Sequence, residues 1–108
     1  MKSDMEDETR ALTLRIGANA KAIREALGLS YRDAAKLCAA VGYNIAHTFI
    51  QKLESGEKNW SMKALAGIPL AYGVEVEALF LPPQEQSLLA LVRANGPLAA
   101  IAWARSQI

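Results

Sequence analysis

Cysteine and histidine each occur once in the 108 residues, as Cys38 and His47. A single thiol excludes an intramolecular disulfide and by itself makes no metal site. There is no glycine-rich phosphate loop, and the carboxylates are scattered at surface-like spacings. No catalytic triad, metal cluster or cofactor site can be assembled from such a set, so the expectation is a protein that is not an enzyme and holds no cofactor. Alternating strand patterns, internal repeats and low-complexity tracts are also missing. No apolar run reaches the ~18 residues of a membrane span. The N-terminus is acidic and polar rather than basic and then apolar, which argues against a signal peptide. These absences point to a cytoplasmic protein without a membrane partner.

What is present suits one small all-α domain. A hydrophobic content of 52% in 108 residues allows a single core without staples, and Cys38 on an apolar stripe reads as a small core residue. The formal net charge is only +1, but its distribution is uneven. Residues 1–9 hold one lysine against four acidic side chains, residues 10–63 hold nine basic against four acidic, and the remainder holds two against three. The positive charge is therefore concentrated on the middle of the chain, where a local patch could attract phosphate.

Residues 1–9 read as a disordered acidic tail. A first helix is expected from about Arg10 to Leu27, with Leu12, Ile16, Ile23 and Leu27 on one side and Gly28 as its stop. Ser30 is a good N-cap for a second, with Asp33 favourably placed against the helix dipole. Its apolar positions Ala34, Leu37, Cys38 and Val41 recur at i, i+3, i+4 and i+7 and should face inward. Gly42-Tyr43-Asn44 breaks the pattern, and glycine and asparagine let the chain reverse there. A third helix over about 45–55 turns Ile45, Phe49, Ile50 and Leu53 to the core. That leaves Ala46, His47, Thr48, Gln51 and Lys52 outside. Four of those five can hydrogen-bond and none is acidic, which suits a surface meeting base edges and phosphates. Ser61 caps a fourth helix that ends at Gly73, and a short fifth spans Glu75 to Phe80. Leu81-Pro82-Pro83 marks a boundary, beyond which 84–94 and 97–106 read as a helical hairpin about Asn95-Gly96.

Between Ala20 and Phe80 the chain resembles the Cro-type, phage-repressor-like helix-turn-helix DNA-binding family. The resemblance rests on Arg24, on Gly28-Leu29-Ser30, on the run from His47 through Phe49-Ile50 and Leu53 to Glu54-Ser55-Gly56, and on Ser61-Met62 through Leu65 and Ile68 to Gly73-Val74-Glu75-Val76-Glu77-Ala78-Leu79-Phe80. It implies a five-helix lambda-repressor-like helix-turn-helix domain over 10–81, with the C-terminal helical hairpin of 82–108 added to it. By the same resemblance His47, Thr48, Gln51 and Lys52 would read bases in the major groove. Tyr31, Lys58 and Asn59, with the amides of Ser55 and Gly56, would meet the DNA backbone. Arg24 and Glu54 would form a partly buried structural ion pair. Trp60 stands where the family often has proline and should pack over the end of the third helix. The interval between the second and third helices is longer than the family's by about one helical turn, so either the second helix is extended or the turn is a real loop. Pro69 falls inside the fourth helix, where a kink is expected.

The implied function is a sequence-specific double-stranded DNA-binding transcriptional regulator, a repressor, acting as a homodimer on a pseudo-palindromic operator. Leu88, Leu91, Val92, Ile101 and Trp103 are more apolar surface than the hairpin can hide within itself, so it covers its own domain or a second subunit. With Val76, Leu79 and Phe80 these residues form the expected dimer interface. The alternative is an antitoxin-like or adaptor protein that binds a protein partner through the apolar hairpin.

Overall fold

The computed structural model describes residues 4–81. The expected hairpin, and with it Leu88, Leu91, Val92, Ile101 and Trp103, lies outside the described residues. Within them the chain is all-helical: α1 (Asp4–Ala26), α2 (Tyr31–Ala40), α3 (His47–Ser55), α4 (Met62–Tyr72) and a 3-10 segment at Val76–Phe80.

Local chemistry sets most of these boundaries. The Ser30 hydroxyl accepts from the Asp33 amide at 3.0 Å, and the Asp33 carboxylate accepts from the Ser30 amide at 3.2 Å. This capping box satisfies two amides that the first turn of α2 would otherwise leave without partners. Ser61 caps α4 by its hydroxyl alone, which accepts from the Ala64 amide at 3.1 Å. Gly56 and Gly73 close α3 and α4 at φ +84 and +73, in the left-handed region that glycine enters without a steric cost.

Three expectations about element boundaries are corrected. α1 begins at Asp4 rather than near Arg10: Asp4, Glu6 and Asp7 lie in its first turn, where negative charge complements the dipole, so this acidic stretch extends the helix. α3 begins at His47, with Ile45 and Ala46 still in the connection. The fifth element is 3-10 rather than α, and Glu75 is its N-cap. The long interval between α2 and α3 is a true loop, residues 41–46. It turns at Gly42 (φ +91) and is anchored by the Tyr43 amide, which donates to the Cys38 carbonyl at 2.8 Å. The Tyr43 side chain packs against Gly67, where even an added Cβ would approach ring carbon Cδ2 to 2.6 Å. α4 continues through Pro69, which is buried.

The core is one cluster built from every element: Ile16, Ala20 and Ile23 of α1; Ala34 and Cys38 of α2; Ile50 and Leu53 of α3; Ala64, Ile68 and Tyr72 of α4; then Val74, Ala78 and Leu79. α3 packs between α1 and α2, α4 packs on α2, and the 3-10 segment closes against α1 and α4. Periodicity had placed Leu12, Leu37, Val41 and Phe49 inside as well, yet all four are 37–42% exposed. Leu12, Leu37 and Phe49 stand at the edges of their helices' apolar stripes, and Val41 is the C-cap just past the end of α2.

Leu79 is corrected too. Its side chain is fully buried in the core of its own chain and cannot serve a subunit contact, whereas Val76 and Phe80 are 40% and 37% exposed. No helix of the described residues is long and apolar enough to cross a membrane.

Candidate nucleic-acid interface

α3 has an inner and an outer side. Ile50, Leu53 and Glu54 face inward and are buried, while Thr48, Gln51, Lys52 and Ser55 are exposed. At three- and four-residue spacings these four share one face. His47, half-buried, and Phe49, exposed, flank it on opposite sides. His47, Thr48, Gln51 and Lys52 are thus brought together on one accessible surface.

The inner side is locked. Arg24 donates from Nε to one Glu54 oxygen at 2.8 Å and from Nη2 to the other at 3.2 Å, a bidentate pair whose side chains are 8% and 3% exposed. The remaining guanidinium nitrogen, Nη1, donates to the Leu29 carbonyl at 2.8 Å, tying the α1–α2 turn to the same group. Burial by itself would lower the Arg24 pKa, but the hydrogen bond and charge of Glu54 outweigh it, and the guanidinium stays charged. The Tyr31 hydroxyl donates to Glu54 at 3.0 Å, and the Arg24 guanidinium sits 3.9 Å over the Tyr31 ring. Burial first, then the bond to Glu54, raises the Tyr31 pKa. Tyr31 is therefore a member of the ion-pair cluster, and the expectation that it meets a DNA backbone is corrected: its hydroxyl proton is already committed to Glu54.

The C-terminal end of α3 is equally occupied. The Gly56 amide donates to the Leu53 carbonyl at 3.4 Å, and the Glu57 and Lys58 amides both donate to the Lys52 carbonyl. The Ser55 hydroxyl bonds to the Lys52 carbonyl and to Glu57. Ser55 and Gly56 were expected to offer amides to phosphate. They stand instead at the negative end of a helix dipole, where carbonyls are in excess and anions are disfavoured. The excess is met by cationic and neutral donors: Arg10 reaches the Gly56 carbonyl at 3.3 Å and Trp60 Nε1 reaches the Leu53 carbonyl at 3.2 Å. Asn59 accepts from the Thr13 hydroxyl at 3.3 Å, and both it and Lys58 are exposed.

The N-terminal end of α3 differs. Its N-cap, Ala46, supplies no side-chain hydrogen bond, and no acidic residue lies in the first turn. The Phe49 and Ile50 amides donate to the Ala46 carbonyl at 3.0 and 3.2 Å, and the His47 and Thr48 amides before them lie at the positive end of the dipole, where an outside acceptor is favoured. Exposed Arg32 and Lys36 on α2, and Lys63 on α4, add cationic surface. Among the described residues no three His, Cys, Asp or Glu side chains gather as a metal site, and Cys38 is fully buried, its thiol pKa raised by burial.

Arg10 and Gly17 carry weight that the sequence reading missed. A Cβ on Gly17 would lie 2.6 Å from the carbonyl oxygens of both Leu53 and Glu54, so α1 and α3 touch backbone to backbone there. A glycine inside a helix, three residues before buried Ala20 on the same face, is the signal that could have found this contact.

Compared with protein-family models, curated proteins and solved structures, the chain gives no match.

Proposed function

We propose that the chain is a sequence-specific double-stranded DNA-binding transcriptional regulator, acting as a repressor, that lays α3 in the major groove. One observation carries the reading. The only carboxylate of α3, Glu54, is turned inward and paired, and the exposed face holds Thr48, Gln51 and Lys52 without a negative charge. In this reading α2, the 41–46 loop and α3 form the helix-turn-helix, and the 3-10 segment takes the place of the fifth helix of a lambda-repressor-like domain. Thr48, Gln51 and Lys52 read base edges, with His47 at the border. The uncapped start of α3 receives a phosphate, and Lys58 and Asn59 meet the backbone farther along. Two copies pair through Val76, Phe80 and the C-terminal third of the chain, on half-sites about 34 Å apart or a multiple of that.

Selection from random duplexes tests the proposal. It should enrich a short motif repeated at a fixed spacing, and the absence of any enriched motif at low salt would overturn the reading. Thr48→Ala and Gln51→Ala should each cost about 1–3 kcal/mol on the selected site and little on random DNA. Lys58→Ala should weaken both alike and lower the salt slope by about 1.

The second reading, an antitoxin-like or adaptor protein, is favoured by apolar surface away from α3. A groove of about 460 Å³ runs between the 41–46 loop and α4, lined in part by Val41, Tyr43, Gly67 and Leu70. Leu70 is 63% exposed. A protein that aggregates alone, and is rescued by a co-expressed partner, would favour this reading.

A further inference from the structure

Every residue of α1 from Asp4 to Leu12 is exposed, so its first turns project past the core. The helix meets that core through Thr13, Ile16, Gly17, Ala20, Ile23 and Arg24. Met5, Glu8, Ala11, Leu12 and Arg15 lie elsewhere, on one face linked by three- and four-residue spacings. With Thr9 they line a groove of about 260 Å³. Met5 is 73% and Leu12 42% exposed, two large apolar side chains on a face that also carries charge of both signs.

The charges on this face find no match within their own helix. Three and four residues from Arg15 stand Ala11, Leu12, Ala18 and Asn19, and three and four residues from Glu8 stand Asp4, Met5, Ala11 and Leu12. Neither set offers the opposite charge at the spacing where helical ion pairs form. The ion pair found among the described residues, between Arg24 and Glu54, uses neither. A face that carries an acid and a base seven residues apart, with a leucine between them, is complementary to itself. Consider two copies of α1 laid antiparallel about a two-fold axis level with the midpoint of residues 11 and 12. Glu8 of each then meets Arg15 of the other, because both lie about 5 Å along the helix from that midpoint. Leu12 meets Leu12 of the other copy beside the axis, and the small Ala11 side chains let the helices approach. Met5 falls level with Ala18 and Asn19 of the other copy. Antiparallel order also opposes the two helix dipoles.

We propose that this face of α1 is a self-association surface whose occupant is the same face of a second copy, with reciprocal Glu8 to Arg15 pairs bracketing the two Leu12 side chains. The contact shares no residue with the pairing through Val76 and Phe80 given above. It is a second two-fold, and it joins one pair of chains to the next. One helix face falls short of the ~800 Å² per partner that a stable dimer buries. The contact therefore holds together copies that are already concentrated rather than assembling them from dilute solution. The inference does not depend on DNA binding.

Oxidative cross-linking of the full chain in concentrated solution tests it. Leu12→Cys places an exposed thiol beside the axis, Cys38 being fully buried, and should form a disulfide between two chains. Ala18 is also exposed, but it lies about 10 Å along the helix from the axis. Its two copies are then about 20 Å apart, so Ala18→Cys should not cross-link. Adding Arg15→Glu to Leu12→Cys sets like charges together on both sides of the axis and should slow the cross-link roughly tenfold at low salt. Adding Glu8→Arg as well restores opposite charges and should return the rate to that of Leu12→Cys alone. Equal rates at the two cysteine positions, no cross-link through Leu12→Cys, or a charge swap no faster than Arg15→Glu would each overturn the proposal. No duplex is present, and neither α3 nor the Val76 and Phe80 surface is altered. Failure of this inference is thus distinct from failure of the DNA-binding reading.

Discussion

The two ends of α3 are built on opposite principles. At the C-terminal end every strong group is engaged: Glu54 with Arg24 and Tyr31, the Leu53 carbonyl with Trp60, the Gly56 carbonyl with Arg10, and the backbone itself against Gly17. At the N-terminal end Ala46 offers no cap and the first turn holds no acid. α2 and α4, by contrast, both begin with a serine cap. One end anchors the helix to the body and the other is left open, an arrangement that suits a helix held still while it is presented to something else. A helix built only for stability would have been capped, since a cap is worth about 0.5–2 kcal/mol.

The largest expected effect lies at the anchored end. Glu54→Ala leaves the Arg24 guanidinium buried without its partner and should cost roughly 3–5 kcal/mol in chemical denaturation. A loss below about 1 kcal/mol would mean that the pair behaves as an exposed one. Gly17→Ala should follow at about 1–3 kcal/mol, because the added methyl meets two backbone carbonyls that no rotamer change can move aside. Were it silent, the close approach of α1 and α3 would not be a real constraint.

At the open end the sign reverses. Ala46→Ser should stabilise the fold by about 1 kcal/mol in thermal unfolding by capping α3. In the DNA-binding reading it should weaken duplex affinity, because the serine oxygen sets a competing acceptor beside the His47 and Thr48 amides offered to phosphate. A variant that gains stability and loses no affinity would break the comparison.

The smallest effect concerns acid. The Asp33 carboxyl is held below its ordinary value of 3.8 by the Ser30 amide first and the Ser30 hydroxyl second. A depressed carboxyl pKa favours the folded state above the unfolded value, and that contribution is lost as pH falls through the folded one. The stability curve of the parent chain should therefore decline below about pH 4 more steeply than that of Asp33→Asn, read from urea midpoints across the acid range.

Features set by adjacent residues were legible in the sequence. The Ser30 and Ser61 caps and the Gly28 and Gly73 stops depend on a few neighbouring groups, and their residue types announce them. The inner and outer sides of α3 were legible for Ile50, Leu53, Thr48, Gln51 and Lys52, which lie near the centres of the two faces. Phe49, Leu12 and Leu37 lie at stripe edges, and Val41 just past the end of α2, where burial is decided by how closely the neighbouring helix approaches, and periodicity carries no information about that. Tyr31 was misread for a related reason: its partner Glu54 is 23 residues away. The amides of Ser55 and Gly56 were misread because their engagement follows from where α3 ends, to within one residue.

The central claim is that the outer face of α3, from its open N-terminal end, is what meets a duplex. Titrating the isotope-labelled protein with a selected duplex and mapping the amide shifts tests it most directly. The account predicts that the largest shifts fall on His47, Thr48, Gln51 and Lys52, with smaller ones at Lys58 and Asn59. Largest shifts on the 3-10 segment or the groove beside Leu70, with residues 47–52 unmoved, would contradict it.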